Sequence, residues 1–304
     1  MITGRSFALV AALAVAVLSA GCDSTEVDPF IESEQYFSIY GSIDMQLKVQ
    51  YLRVVAIDTV FGSRDDTLDA VVTTTDLITG EVDQWRDSLF AFDDGKTGHV
   101  FISRFRIKAG HTYKLDVRRS DGAVTSAETT VPAEPQAELG ESVLTTPPES
   151  ALPKGFQRIF WRGLTREPHR VDVYYRYRSI PANPFIDVRV PYETGSSSDD
   201  TSEGWEITVT YSIDREILND AIGGRGLRLA GVAMQVIVLA DDWVPPGGVF
   251  DPEILSQPGV FSNVENGFGF FGSAGRYSIE WIPGTTNATT ESQAGTGPAT
   301  RDRY

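Results

Sequence analysis

Between Tyr113 and Arg118 apolar and charged residues alternate one by one: Tyr113, Leu115 and Val117 fall on one side of an extended chain, Lys114, Asp116 and Arg118 on the other. Successive side chains of a strand point to opposite faces, so this period of two predicts a half-buried β-strand. The same reading finds strand-like segments at 36–43, 49–58, 69–76, 82–92, 99–107, 112–119 and 124–131. Turn dipeptides such as Asp94-Gly95 and Asp121-Gly122 separate them. Short strands at this spacing predict an immunoglobulin-like β-sandwich over 36–133. Its approach to the sixth strand, Lys108-Ala109-Gly110-His111-Thr112-Tyr113, has the form of a tyrosine corner, in which a tyrosine hydroxyl bonds back to the chain upstream.

Pro132, Pro135, Pro147, Pro148 and Pro153 then crowd one stretch. Proline fixes φ and removes a donor, so 134–154 reads as a linker and a domain boundary. A second β-rich domain is expected over 155–283. Val171, Val173, Tyr175 and Tyr177 alternate with polar neighbours, as do Trp205, Ile207, Val209, Tyr211 and Ile213. The polar run 195–204 between them reads as a hairpin or long loop. Asp214 is placed to cap one short helix over 215–222, ended by Gly223-Gly224. Residues 227–240 are apolar on both faces, which fits a central strand or a buried helix; Val232, Val236, Ile237 and Val238 decide for strand. Alternation returns at 276–282, and 284–304 has no periodicity and is expected to be a disordered tail.

The chain opens differently. Arg5 precedes an apolar run over 7–18, and Ser19, Ala20 and Gly21 lead into Cys22. A run of that length falls short of the roughly 20 residues that span a bilayer. It has the grammar of a secretory signal over 1–21. Cys22 is the single cysteine of the 304 residues, and it stands where a lipoprotein signal needs a thiol for lipid attachment. Ser19 occupies the position where such signals usually carry leucine. Residues 22–35 are acidic and read as a solvated tether.

Composition narrows the partners. With 26 basic against 42 acidic residues the formal charge is −16, which argues against nucleic acid, whose phosphates call for clustered Lys and Arg. Only Lys48, Lys96, Lys108, Lys114 and Lys154 are lysines, and acidic, lysine-poor surfaces suit proteins that stay soluble in salt. With Cys22 consumed by acylation, neither a disulfide nor a cysteine metal site is expected.

No catalytic motif emerges: the chain lacks a G-x-S-x-G elbow, a phosphate-binding G-x-x-x-x-G-K and an H-E-x-x-H repeat. His99, His111 and His169 read as surface or edge residues. The acid pairs Asp65-Asp66, Asp93-Asp94, Asp199-Asp200 and Asp241-Asp242 fall in expected loops; they read as solvated charge, with a weak calcium site as the competing reading. Of the five tryptophans most fall at inward positions, whereas Trp243, beside Asp241 and Asp242, is the candidate for contact with a ligand or partner. No cofactor is expected.

Several segments together resemble a known family. They are Phe37-Ser38-Ile39-Tyr40-Gly41, Tyr51-Leu52-Arg53-Val54, Asp69-Ala70-Val71-Val72-Thr73, the segment 110–117, Ser126-Ala127-Glu128-Thr129-Thr130-Val131-Pro132, and above all Ser262-Asn263-Val264-Glu265-Asn266-Gly267-Phe268-Gly269-Phe270-Phe271-Gly272. Together they resemble the bacterial lipoproteins catalogued as domain of unknown function 4249. The resemblance implies an address at the outer membrane, facing periplasm or cell surface, and an accessory role beside a TonB-dependent receptor. It brings no catalytic residues. The expectation is therefore an all-β, lipid-anchored, non-enzymatic interaction component of the cell envelope, with a glycan-binding lipoprotein as the alternative and an envelope hydrolase behind it. Glycan binding would require a solvent-facing aromatic with carboxylates nearby.

Overall fold

A computed structural model describes residues 35–57, 67–91, 97–179, 185–192, 198–201, 203–223, 226–243, 262–284 and 288–289. The expected signal, Cys22, the tether up to Glu34, and the pairs Asp65-Asp66 and Asp93-Asp94 lie outside these residues.

The strands are β1 (Phe37–Asp44), β2 (Gln50–Ala56), β3 (Val71–Asp76), β4 (Val82–Gln84), β5 (Arg86–Ala91), β6 (Thr97–Ser103), β7 (Thr112–Arg118), β8 (Val124–Thr130) and β9 (Gln136–Leu144). They continue as β10 (Gly155–Arg162), β11 (Arg170–Ser179), β12 (Phe185–Tyr192), β13 (Ser198–Thr201), β14 (Gly204–Thr210), β15 (Leu227–Leu239), β16 (Val264–Glu265), β17 (Gly267–Trp281) and β18 (Ala288–Thr289). One helix, α1 (Tyr211–Ile222), lies between β14 and β15. Among the described residues the protein is all-β with one short helix, as its periodicity predicts.

A nine-stranded sheet runs β12-β11-β15-β17-β1-β2-β6-β5, with β18 beside the end of β17. Two smaller sheets pack on its inner side. The five-stranded one, β16-β8-β7-β3-β4, encloses a cluster with Phe37, Ile39, Leu52, Phe101, Leu115 and Phe271. The four-stranded one, β13-β14-β10-β9, together with α1 encloses Ile159, Trp161, Val173, Tyr175, Val209, Met234 and Ile279. Two sandwiches thus share one long backing sheet.

That arrangement revises the expected organisation. The N-terminal sandwich is not complete at residue 133: β1 pairs in parallel with β17 from Phe37↔Gly267 to Asp44↔Ala274, and β16 pairs with β8. Nor is 134–154 a bare linker, since Gln136–Leu144 forms β9 on β10. The prolines bracket a proline-free stretch of nine residues, and the turn between the two strands closes with Thr145 N–H on the Lys154 carbonyl at 2.9 Å. Proline is excluded from ladder positions, not from the ends of a strand. The expected strand 82–92 is two: Trp85, 4% exposed, turns into the core and donates its indole N–H to Thr74 Oγ1 at 2.7 Å, and the chain crosses from the five-stranded sheet to the nine-stranded one. In the expected tail, 288–289 pair with Glu280 and Trp281, while 285–287 and 290–304 lie outside the described residues.

The tyrosine corner is present. Lys108 N–H donates to the Tyr113 hydroxyl at 2.9 Å. Beside it the buried Asp76 accepts from the His111 ring at 2.9 Å and from the N–H groups of Ile78 and Thr79. Burial opposes its ionisation, but the His111 ring and the two backbone donors outweigh that, holding its carboxyl well below the usual carboxylate range.

Asp214 departs from its expected role. The helix starts earlier, its N-cap is Thr210, and Asp214 lies inside the first turn, 2% exposed. Its carboxyl accepts from the hydroxyls of Tyr175 and Tyr192, the latter at 2.7 Å, and Tyr192 in turn accepts the Thr210 N–H at 3.1 Å. Burial raises the Asp214 carboxyl, with the tyrosine bonds acting against it. The carboxyl fastens the helix to β11 and β12. At the far end Gly223 adopts a left-handed conformation and closes the helix.

Two outcomes follow. Asp214→Ala leaves two buried tyrosine hydroxyls without their acceptor and is expected to lower stability by about 3 kcal/mol in urea unfolding, with Asp214→Asn losing less. A carboxyl lowered only in the folded state adds stability above its unfolded value near ~4 and forfeits it as pH falls toward the folded value. The urea midpoint is therefore expected to hold from about pH 7 to about pH 5 and to fall as pH drops through about 4 and below, and Asp76→Asn should make that fall shallower.

Candidate binding trough on the outer sheet face

The nine-stranded sheet turns its other face outward. On β11 the inward residues Val173, Tyr175 and Tyr177 are buried, leaving Asp172, Tyr174 and Arg176 on the outer side. In β15 the alternation slips. Arg176 lies opposite Gly231 and Tyr177 opposite Leu229, so Ala230 is an extra residue, a β-bulge. Leu229 and Val232 on either side point into the core, which sets Ala230 and Gly231 together on the outer face.

These small residues floor a trough of about 380 Å³. Tyr174 and Arg176 form one wall, Glu280 and Ile282 the other, and Asp187 stands behind Arg176. The guanidinium meets Asp187 through two bonds, Nε to Oδ1 at 2.9 Å and Nη2 to Oδ2 at 3.2 Å, which fixes the plane of the fork. That pairing raises the Arg176 pKa further and keeps the group cationic. Burial raises the Tyr174 hydroxyl, helped by the charge of Asp172 and opposed by Arg189, so it stays a neutral donor. A Cβ built on Gly231 would meet nothing closer than the Trp281 carbonyl oxygen at 3.6 Å. The trough therefore offers a flat apolar floor, one aromatic ring, an oriented cation and carboxylates on two sides. It suits a ligand with a small apolar face and several hydrogen-bonding groups.

None of these side chains was singled out in the sequence. The readable signal is the Ala230-Gly231 pair inside an otherwise bulky strand, since an isolated glycine in a strand marks a bulge or a close approach.

The residues that were singled out lie elsewhere. Asp241, Asp242 and Trp243 follow β15, away from the trough; Asp241 and Asp242 line a cleft of about 580 Å³ that also takes in Glu128, Thr130 and Thr165. Asp241 is exposed. Asp242 accepts from Asn263 Nδ2 at 3.0 Å, and burial raises its carboxyl despite that bond. Trp243 is not the open contact residue the sequence suggests: it is half-buried and stacks edge-on against Phe270 at 5.2 Å between ring centroids. Asn263 binds Phe271 in both directions, donating to its carbonyl at 2.6 Å and accepting its N–H at 3.0 Å. The glycine- and aromatic-rich motif is thus a clamp on β17, a packing device.

His99 bonds Asp87, His111 bonds Asp76, and His169 is exposed. Asp199-Asp200 lies in β13 and not in a loop. Among the described residues no group of three His, Cys, Asp or Glu side chains is placed to hold a metal ion. Trp243→Ala is expected to cost about 2 kcal/mol in urea unfolding, because it uncovers the Phe270 ring; a freely exposed contact residue would change stability by less than about 0.5 kcal/mol.

Comparison with known proteins adds little beyond the family. No curated protein sequence matches the chain. Among solved structures, a cytokine receptor complex aligns over 66% of this chain and 82% of its own at 13% identity, with a TM-score of 0.20. A pullulanase from Anoxybacillus sp. LM18-11, complexed with maltotriose, aligns over 66% of this chain and 24% of its own at 9% identity, with a TM-score of 0.21. Scores this low carry no argument about fold or ligand. Residues 24–224 match the family described as a domain of unknown function (DUF4249), and the chain, with its double sandwich on a shared sheet, belongs to that family.

Proposed function

We propose that this protein is a lipid-anchored, non-enzymatic interaction component of the cell envelope, held at the outer membrane through Cys22 and presenting the outer face of its long sheet to a partner. The observation that carries the reading is the trough at the β15 bulge, where the sheet presents Tyr174 and the Arg176–Asp187 fork on one side of a floor of small residues and Glu280 on the other. Both Asp187 oxygens are engaged by Arg176, which suits them to orienting a bound group and not to moving a proton. The partner class implied by the family is a TonB-dependent receptor.

The same trough favours a second reading. A tyrosine wall with carboxylates on two sides is the arrangement that a glycan ligand requires, its C–H face against the ring and its hydroxyls on the charged groups.

Gly231→Trp is expected to fill the trough without disturbing the core, because its side chain points outward. If the trough is the contact, recovery of a receptor with the tagged chain from native membranes falls at least about tenfold, the equivalent of about 1.4 kcal/mol. Recovery equal to wild type would remove the trough from the account. Glycan binding to the purified chain that vanishes in Tyr174→Ala selects the second reading.

A further inference from the structure

We propose that the outer face of the other half of the long sheet, formed by β1, β2, β6 and β5, lies against a lipid bilayer in the zone of the headgroups. On β1, β2 and β6 the inner side is core, with Phe37, Ile39, Leu52, Val54 and Phe101 buried there, and the outward residues of these strands are not part of it; β5 is the edge of the sheet. At these outward positions stand Tyr40, Tyr51, Arg53, Val55, Arg86 and Phe90, on neighbouring strands in register. Tyr51 is 54% exposed, Val55 39% and Phe90 53%.

Charge sets this face apart. The chain carries 42 acidic residues, yet the only carboxylate at the described outward positions of these four strands is Asp44, which is buried at one end and paired with Arg276 at 2.8 Å. Asp87 on β5 turns the other way, to His99. A surface facing water in so acidic a protein would be expected to carry acids. This one carries guanidinium groups among tyrosine, phenylalanine and valine, the mixture that settles at a membrane interface, rings at headgroup depth and arginines toward phosphate.

Position agrees with composition. β1 starts 15 residues after Cys22 (37 minus 22), a leash of at most about 50 Å when extended, and β1 is itself a strand of this face. A short leash raises the local concentration of face and membrane for each other. This last step rests on the anchoring reading; the composition of the face does not.

The test supplies the anchor artificially, so that it does not depend on acylation of Cys22. Residues 23–304 carry an N-terminal histidine tag and are held on vesicles of phosphatidylcholine and phosphatidylglycerol containing a chelating lipid. A polarity-sensitive dye is placed through Tyr51→Cys, and in a separate chain through Ile213→Cys, which is 75% exposed on the helix. Nitroxide-headgroup lipids are expected to quench the dye at position 51 about threefold more than at 213, and Val55→Asp with Phe90→Asp should abolish the difference. Equal quenching at both positions overturns the proposal. So does a dye at 51 already shielded in vesicle-free protein, which would mean that the chain covers its own face, or one shielded only when envelope proteins are added, which would mean a protein partner. Mass analysis of Cys22 in the native protein tests the anchor separately.

Discussion

The fold depends on one parallel contact, β1 against β17. Elsewhere the described strands pair antiparallel, mostly with near neighbours; through β17 both halves are built on the same fifteen-residue strand. The contact tolerates no side chain at Gly269, whose φ is +102° and whose added Cβ would come within 2.0 Å of the Ile39 carbonyl oxygen. Asn263 then fixes the strand by standing in for a neighbouring backbone at Phe271. Sequence, register and the meeting of two cores converge on a few residues near the end of the chain.

Because the inner side of the long sheet is filled by two cores, its chemistry is displayed outward and falls into zones. The middle is a closed ionic lattice. Asp172, 2% exposed, is flanked by Arg170 and Arg189, each at 2.8 Å, and Asp44 is paired with Arg276. Asp172 is buried while its two arginines are partly exposed, so only the loss of both guanidinium groups would leave its carboxylate uncompensated. On either side of it the surface is open: small residues and an Arg–Asp fork on one flank, rings and arginines on the other.

Strand content was legible wherever alternation was clean, as at Tyr113–Val117 or Val171–Tyr177, because half-buried strands write their environment into every second residue. The tyrosine corner was legible for a related reason, since a short local motif carries its own geometry. What was not legible is what depends on distant partners. Nothing between Gly267 and Gly272 says that these residues lie beside Phe37, and prolines that bracket β9 look the same as prolines that break a chain. The trough stayed hidden because its walls come from four strands, brought together by a bulge that only Ala230-Gly231 announces. Asp214 was read as a cap because cap and buried acceptor call for the same residue type, and only Tyr175 and Tyr192 tell them apart.

The placement of β17 also governs how the chain can reach its native state. Phe37 and Gly267 are 230 residues apart in sequence (267 minus 37), yet they sit side by side in the sheet. Closing so long a loop is entropically costly and slow, and until it happens the first strand has an open edge. The N-terminal half cannot complete itself as it emerges from synthesis: it waits for the last long strand, and in that interval its unpaired edge is open to pairing with other chains.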